Sequence, residues 1–115
     1  MKLLMHVLKR NNELKIDNET IGPAYMIMKI TEEHNELVRA IMEYSQNESL
    51  KNLKEVIRET FDVIQVCRLI LWRCNIRANT LDEANLVQEI NIEHKNKLAD
   101  RKWIVETGIE IDVKE

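Results

Sequence analysis

Apolar residues recur at three- and four-residue steps through most of the chain, which is the spacing typical of amphipathic α-helices. This pattern predicts helices over residues 24–44, 50–76 and 81–100. Only two glycines and one proline interrupt the sequence, so few segments have the composition of loops. We predict an all-α fold, a helical bundle of about three to four helices.

Capping signals mark the predicted helix starts. Pro23 suits the first turn of the first helix, because a proline there sacrifices no helical hydrogen bond. Ser49 is a candidate N-cap of the second helix. Thr80, with Glu83 three residues later, predicts a capping box at the start of the third helix.

The two ends of the chain have weaker patterns. Residues 1–16 fit either a short helix or an irregular arm. In residues 103–115 the apolar side chains of Ile109, Ile111 and Val113 alternate, which predicts a short strand or an extended arm.

The second predicted helix is apolar on nearly all sides. A helix of this kind is normally buried by more than one neighbour. A chain of 115 residues offers few internal neighbours, so we predict a homodimer or homotetramer. The apolar positions concerned include Leu53, Val56, Ile57, Ile64, Val66 and Ile70.

Length and charge narrow the class of protein. We expect residues 1–115 to form a single domain with its core in residues 24–103. The net charge is −3 and no block of lysine and arginine occurs, which argues against a nucleic-acid polymer as partner. The apolar stretch 63–72 is broken by Gln65 and Arg68, so we expect no membrane span.

The cysteines favour a reducing compartment. Cys67 and Cys74 lie about two turns apart on one predicted helix, too far along the axis to form a disulfide with each other. We therefore predict a cytoplasmic protein with reduced thiols.

Two carboxylate pairs are the strongest functional signal. Glu33 and Glu36 are three residues apart on the first helix, and Glu59 and Asp62 are three apart on the second. Helical residues at this spacing share a face, so four carboxylates meet if the two helices pack side by side. Oxygen ligands without a cysteine or histidine suit Mg²⁺, or alternatively Mn²⁺.

The helical wheel separates this hypothesis from ordinary surface charge. It places Glu33, Glu59 and Asp62 at or inside the apolar face, and Glu36 further toward solvent. Burying an unpaired carboxylate is costly, so each needs a cation or strong hydrogen bonds. A purely structural network remains the alternative, with Arg58 and Arg68 as its obvious cations.

These residues resemble a family signature. The segments Glu32-Glu33-His34-Asn35-Glu36 and Glu59-Thr60-Phe61-Asp62 are similar to the EExxE and ExxD motifs of MazG-type all-α nucleotide pyrophosphohydrolases. The later segment at residues 94–103, ending Lys97-Leu98-Ala99-Asp100-Arg101-Lys102-Trp103, resembles the basic and aromatic ending of small family members. The resemblance covers residues 24–103.

The resemblance implies an enzyme that cleaves a nucleoside triphosphate into a monophosphate and pyrophosphate, with a four-helix active-site module completed by oligomerisation. It implies that Mg²⁺ is held by Glu33, Glu36, Glu59 and Asp62. Glu32 would orient the attacking water or support the ligands, and with Glu33 it would form the catalytic pair. Lys97 and Arg101 would bind phosphates, in some arrangements across a subunit boundary, and Trp103 would stack on a base or pack against the bundle end.

Other functions compete with this interpretation. A dimeric dUTP hydrolase and the phosphoribosyl-ATP hydrolase are related enzymes, the first usually having a longer chain with duplicated helices. A non-catalytic helical oligomer, such as a phage regulator or an antitoxin-like binding module, would show no dependence on divalent ions. A di-iron bundle needs Glu-x-x-His on two helices, and neither carboxylate pair supplies it.

Overall fold

The computed structural model describes residues 1–114 and confirms a mostly helical small domain. Three helices follow a very small two-stranded sheet near the N-terminus. In chain order the elements are β1 (Arg10–Asn11), β2 (Ile16–Asp17), α1 (Pro23–Gln46), α2 (Leu50–Thr80) and α3 (Leu86–Asp100).

Helices α1 and α2 form a tightly connected helical hairpin. Pro23 occupies the first turn of α1, as predicted. The Ser49 side chain accepts a hydrogen bond of 3.1 Å from the backbone N–H of Asn52, which confirms Ser49 as the N-cap of α2. The connector between the helices is only residues 47–49, so α1 must fold back along α2. This places the two carboxylate pairs on facing surfaces.

The predicted capping box at Thr80 and Glu83 is wrong, because α2 continues through Thr80. Its end is a Schellman motif in which Asp82 takes the left-handed conformation, with φ of 60°. The N–H of Glu83 donates to the carbonyl of Ala78, and the N–H of Asp82 donates to that of Asn79. The Thr80 hydroxyl donates back to the Arg77 carbonyl. Helix α3 begins at Leu86 instead.

The N-terminal segment is an irregular arm that contains a β-hairpin. Arg10 pairs with Asp17 and Asn11 pairs with Ile16 in antiparallel register. The Asn11 side chain accepts hydrogen bonds from two backbone N–H groups of the turn, those of Glu13 and Leu14. Because this turn is stabilised locally, the hairpin needs no strand partner elsewhere in the described chain.

The C-terminal segment is an extended arm rather than a strand. Helix α3 ends in a second Schellman arrangement, with Lys102 at φ of 68° and the N–H of Trp103 donating to the Leu98 carbonyl. Residues 103–114 then run without helix or strand, and their side chains are exposed.

The interior of one chain is small. Only Ala40, Leu69 and Ala78 are buried hydrophobic residues in the described part of the chain. The accessible surface is 10119 Å², whereas a compact monomer of this mass exposes about 6,600 Å². The radius of gyration is 16.7 Å, against roughly 13 Å for a compact domain of this length. None of the described helices is long and apolar enough to cross a membrane.

Candidate metal centre

Packing of α1 on α2 brings three of the predicted carboxylates together. One oxygen from each of Glu33, Glu59 and Asp62 lies within 4.8 Å of the others. Glu36 belongs to the same cluster electrostatically, because its charge raises the pKa of both Glu33 and Glu59. We call Glu33, Glu36, Glu59 and Asp62 the carboxylate cluster.

Burial within the carboxylate cluster differs from the helical-wheel prediction. Glu33 and Glu59 are half-buried, as expected, but Glu36 is also half-buried and Asp62 is exposed. The wheel treats each helix separately. In the structure, the Glu36 charge acts on Glu59 of the facing helix, while Asp62 is exposed. The cluster therefore has three half-buried members and an accessible edge at Asp62.

Glu33 sits in an environment that favours its protonated form. Burial raises the pKa of this carboxyl, and the neighbouring charges of Glu36 and Asp62 raise it further. Lys29 acts in the opposite direction, since its ammonium nitrogen lies 3.8 Å from a Glu33 carboxylate oxygen. Repulsion and burial outweigh this single cation.

Glu59 is the most strongly perturbed group of the cluster. Its pKa is raised to about 7, and burial is the largest cause. A hydrogen bond with Glu55 and the charges of Glu36, Asp62 and Glu55 act in the same direction. A carboxyl group with this pKa is a candidate functional residue when it lies in an accessible cluster.

The expected structural cations do not neutralise the cluster. Arg58 forms an ion pair with Glu55 at 3.0 Å, and Arg68 donates to the side-chain oxygen of Gln65. Among the described residues, Lys29 alone lies within ion-pair distance of a cluster member. The charge of the cluster therefore remains largely uncompensated within one chain.

Two buried oxygen atoms of the cluster have no hydrogen-bond donor. They are the Oε2 atoms of Glu33 and Glu59. A buried carboxylate oxygen without a partner is costly, and the neighbouring carboxylates cannot serve as donors while ionised. The cluster therefore fits a hard divalent cation such as Mg²⁺ or Mn²⁺, which binds carboxylate oxygens.

Glu32 lies beside the cluster but points outward. Its carboxylate accepts a hydrogen bond of 3.4 Å from Lys29, and its side chain is 49% exposed. Burial of Lys29 lowers its pKa. The hydrogen bond with Glu32 and the negative charges of Glu32 and Glu33 outweigh burial, so the lysine pKa is raised. Lys29 thus links Glu32 to Glu33 from the adjacent turn.

The predicted substrate-binding residues of the C-terminal region lie elsewhere on the same chain. Lys97 and Arg101 line a shallow groove along α3, and none of the four cluster carboxylates lines that groove. Trp103 follows the helix and is 68% exposed. Within one chain these residues and the cluster do not form a shared cavity.

A second cavity adjoins the cluster. It is a cleft of about 370 Å³ between the N-terminal hairpin, α1 and α2. Glu33 and Asp62 lie on its lining, so the cleft opens directly onto the carboxylate cluster. Its apolar lining residues include Leu14, Ile16, Tyr25, Met26, Val66 and Leu69.

Sequence reasoning missed three contributors to this region. Lys29 was detectable, because a lysine four residues before Glu33 lies on the same helical face. Glu55 was detectable by the same rule relative to Glu59. The hairpin wall of the cleft had no comparable signal, since its strands are only two residues long.

Together these features define a small all-α protein with a carboxylate cluster that suits a divalent cation and adjoins a cleft. Comparison of the chain with protein-family models, with curated proteins and with solved structures finds no match.

The raised pKa of Glu59 predicts a specific dependence of stability on pH. Its ordinary value is 4.5 and its value in the folded protein is about 7, so folding favours the protonated form. This contribution is complete below about pH 4.5 and is lost as the pH rises through about 7. In EDTA, Glu59→Gln should therefore flatten the fall in stability between pH 5 and pH 8.

Urea unfolding followed by circular dichroism at several pH values measures this effect. At pH 8 the Glu59→Gln midpoint should exceed that of the wild type, because the variant removes a repelled charge. Glu43→Gln is the matched control, since Glu43 is an exposed carboxylate further along α1. Parallel pH profiles for all three proteins would contradict the assignment.

Proposed function

We propose that the protein is a Mg²⁺-dependent nucleoside triphosphate pyrophosphohydrolase of the MazG type, producing a nucleoside monophosphate and pyrophosphate. The observation that carries this proposal is the carboxylate cluster, with its buried oxygen atoms that lack donors. The order of the two carboxylate motifs on consecutive packed helices supports the same family.

Glu33, Glu36, Glu59 and Asp62 would hold the metal, with Mn²⁺ as an alternative to Mg²⁺. When bound, the ion would supply positive charge to phosphate oxygens and offset the negative charge that develops on the leaving pyrophosphate. The accessible edge at Asp62 provides the side from which a triphosphate can approach.

Glu32 and Glu33 are the candidates for handling the proton of the attacking water. Hydrolysis adds water across the bond between the α- and β-phosphates, and the water loses one proton as this bond breaks. Glu33 is half-buried at the cluster and Glu32 is held next to it by Lys29. Because Glu32 points outward, it would have to turn toward the cluster to reach the water, with Lys29 holding it nearby.

Lys97, Arg101 and Trp103 fit the proposal only as residues of another copy of the chain. In one copy they line a different groove or lie exposed beyond α3. Each chain exposes about 3,500 Å² more surface than a compact monomer of its mass, which is more than enough to supply one partner's share of an obligate interface. A homodimer or homotetramer would complete a four-helix module and allow these cations to reach phosphates.

The exposed apolar side chains of α1 and α2 support such an assembly. They include Ile27, Val38, Ile41, Leu53, Ile57 and Phe61. A surface of this kind marks an interaction site. Cys67 and Cys74 are both free thiols, which agrees with the proposed cytoplasmic location.

The proposal is tested by pyrophosphate release from canonical and modified ribo- and deoxyribonucleoside triphosphates, measured with Mg²⁺ and with EDTA. We expect release that requires the divalent ion. The panel should include dUTP and phosphoribosyl-ATP to separate the related hydrolases. A folded protein that releases no pyrophosphate from any member would favour the non-catalytic helical oligomer.

A further inference from the structure

The cleft beneath the N-terminal hairpin adjoins the carboxylate cluster. It is therefore positioned to hold a portion of the substrate other than its phosphates. Its volume of about 370 Å³ lies at the lower end of the range for small-molecule sites. Glu33 and Asp62 belong both to the cluster and to the cleft lining. A ligand with phosphates at the cluster would therefore direct its remaining portion into the cleft.

The cleft has two largely apolar walls. The hairpin contributes Leu14 and Ile16, and the helices contribute Tyr25, Met26 and Val66. Among the described lining residues, Tyr25 supplies the aromatic ring. A flat group with apolar faces is the chemical class that such a lining accommodates, as a heterocyclic base does.

The amide side chains of the lining already hold the hairpin in place. Asn11 accepts from the turn backbone, and Asn18 donates a hydrogen bond of 3.0 Å to the Leu8 carbonyl. Gln65 donates to the His6 carbonyl at 3.1 Å and accepts from Arg68. The Gln65 contact ties the N-terminal arm to α2, and the Asn11 and Asn18 contacts stabilise the arm itself. With these amides engaged, the cleft would interact with a base mainly through apolar contact.

We infer that the cleft is a nucleoside subsite, in which the N-terminal hairpin forms one wall around the base and sugar of the substrate. This inference rests on the proposed function for the position of the phosphates. Because recognition is mainly apolar, the subsite accepts both purines and pyrimidines. The kcat/KM values for different bases therefore differ by no more than about 100-fold, the limit typical of apolar pockets.

The test uses full-length protein and a neutral probe, 2-aminopurine 2′-deoxyriboside, titrated by fluorescence in EDTA. The probe carries no phosphate, so its binding requires neither metal nor catalysis. Val66→Phe, which fills the cleft floor, should weaken binding by at least about tenfold. Leu14→Ser, which removes apolar contact from the hairpin wall, should weaken it in the same direction. The control is Leu4→Ser, because Leu4 is 86% exposed and does not line the cleft.

The outcomes separate the subsite from the proposed reaction. Nucleoside binding that the two cleft variants weaken supports the subsite, even if no triphosphate is hydrolysed. Hydrolysis of dATP and dCTP with unchanged KM in both variants would overturn the subsite and leave the reaction standing. Circular dichroism verifies each fold. If Val66→Phe fails to fold, Leu14→Ser decides the matter, because Leu14 is 67% exposed and tolerates substitution.

Discussion

Replacing Glu59 by Gln is expected to reduce pyrophosphate release by about 10²- to 10³-fold, because loss of one metal ligand removes several kcal/mol of charge stabilisation from the reaction. The glutamine keeps the size of the side chain and an oxygen, but it lacks the negative charge. Glu59 is half-buried on α2 beside Glu55, so the neutral amide fits without an added desolvation cost.

Steady-state kinetics at saturating Mg²⁺ measure this loss, and circular dichroism verifies that the helices remain. Glu43→Gln serves as the control for removing a carboxylate from the surface of the same helical hairpin, and it should retain full activity. A Glu59→Gln variant that releases pyrophosphate at the wild-type rate would show that Glu59 is not a metal ligand. The metal centre would then need a different set of residues.

Saturating Mg²⁺ is expected to raise the unfolding temperature by about 10 °C. A ligand at one hundred times its Kd stabilises the folded state by about 2.7 kcal/mol. For a domain of this size, 1 kcal/mol corresponds to roughly 4 °C. The stabilisation arises because the ion binds the folded cluster, where Glu33 and Glu59 have buried oxygen atoms without donors.

The stabilisation by Mg²⁺ should be larger at pH 8 than at pH 5. The pKa of Glu59 is about 7 and that of Glu33 is also raised, so protons compete with the metal at pH 5. The metal-free protein loses stability as the pH rises through this range, and the metal replaces the missing protons. Between pH 5 and pH 8 the stability of the metal-free protein should therefore fall, while the stabilisation by Mg²⁺ should rise.

Differential scanning calorimetry at fixed protein concentration measures both effects, since oligomerisation also shifts the transition. Potassium chloride at matched ionic strength controls for simple screening of the carboxylates. Glu59→Gln should lose most of the shift produced by Mg²⁺. An equal shift with potassium chloride would indicate screening alone and would exclude a bound divalent ion as its cause.

The helices and the meeting of the carboxylates follow from local sequence rules. Apolar spacing predicts α1 and α2, and the Ser49 cap forms as the sequence indicates. The three-residue spacing within each pair and the short connector then bring Glu33 and Glu59 together. The periodicity acts between residues near in sequence, and the connector of three residues lets it predict how the two helices face each other, which explains why pattern reasoning reaches these features.

The features that sequence reasoning misplaces depend on packing or on competing caps. Glu36 is half-buried in the folded chain, and a wheel drawn for one isolated helix does not include burial by the rest of the fold. The capping box at Thr80 fails because α2 continues through Thr80 and ends only at the Schellman motif formed by the left-handed Asp82. The position of the N-terminal arm against α2 involves a hydrogen bond between residues 59 positions apart, a contact that no local pattern encodes.

The α1–α2 hairpin and the docked N-terminal arm should form at different stages of folding. The α1–α2 hairpin closes through a connector of three residues, so its loop-closure entropy is small and it can form early. The N-terminal arm docks through the distant contact between His6 and Gln65. In a stopped-flow experiment, the helical signal should therefore precede closure of the cleft, and a newly made chain would acquire its carboxylate cluster before its hairpin wall.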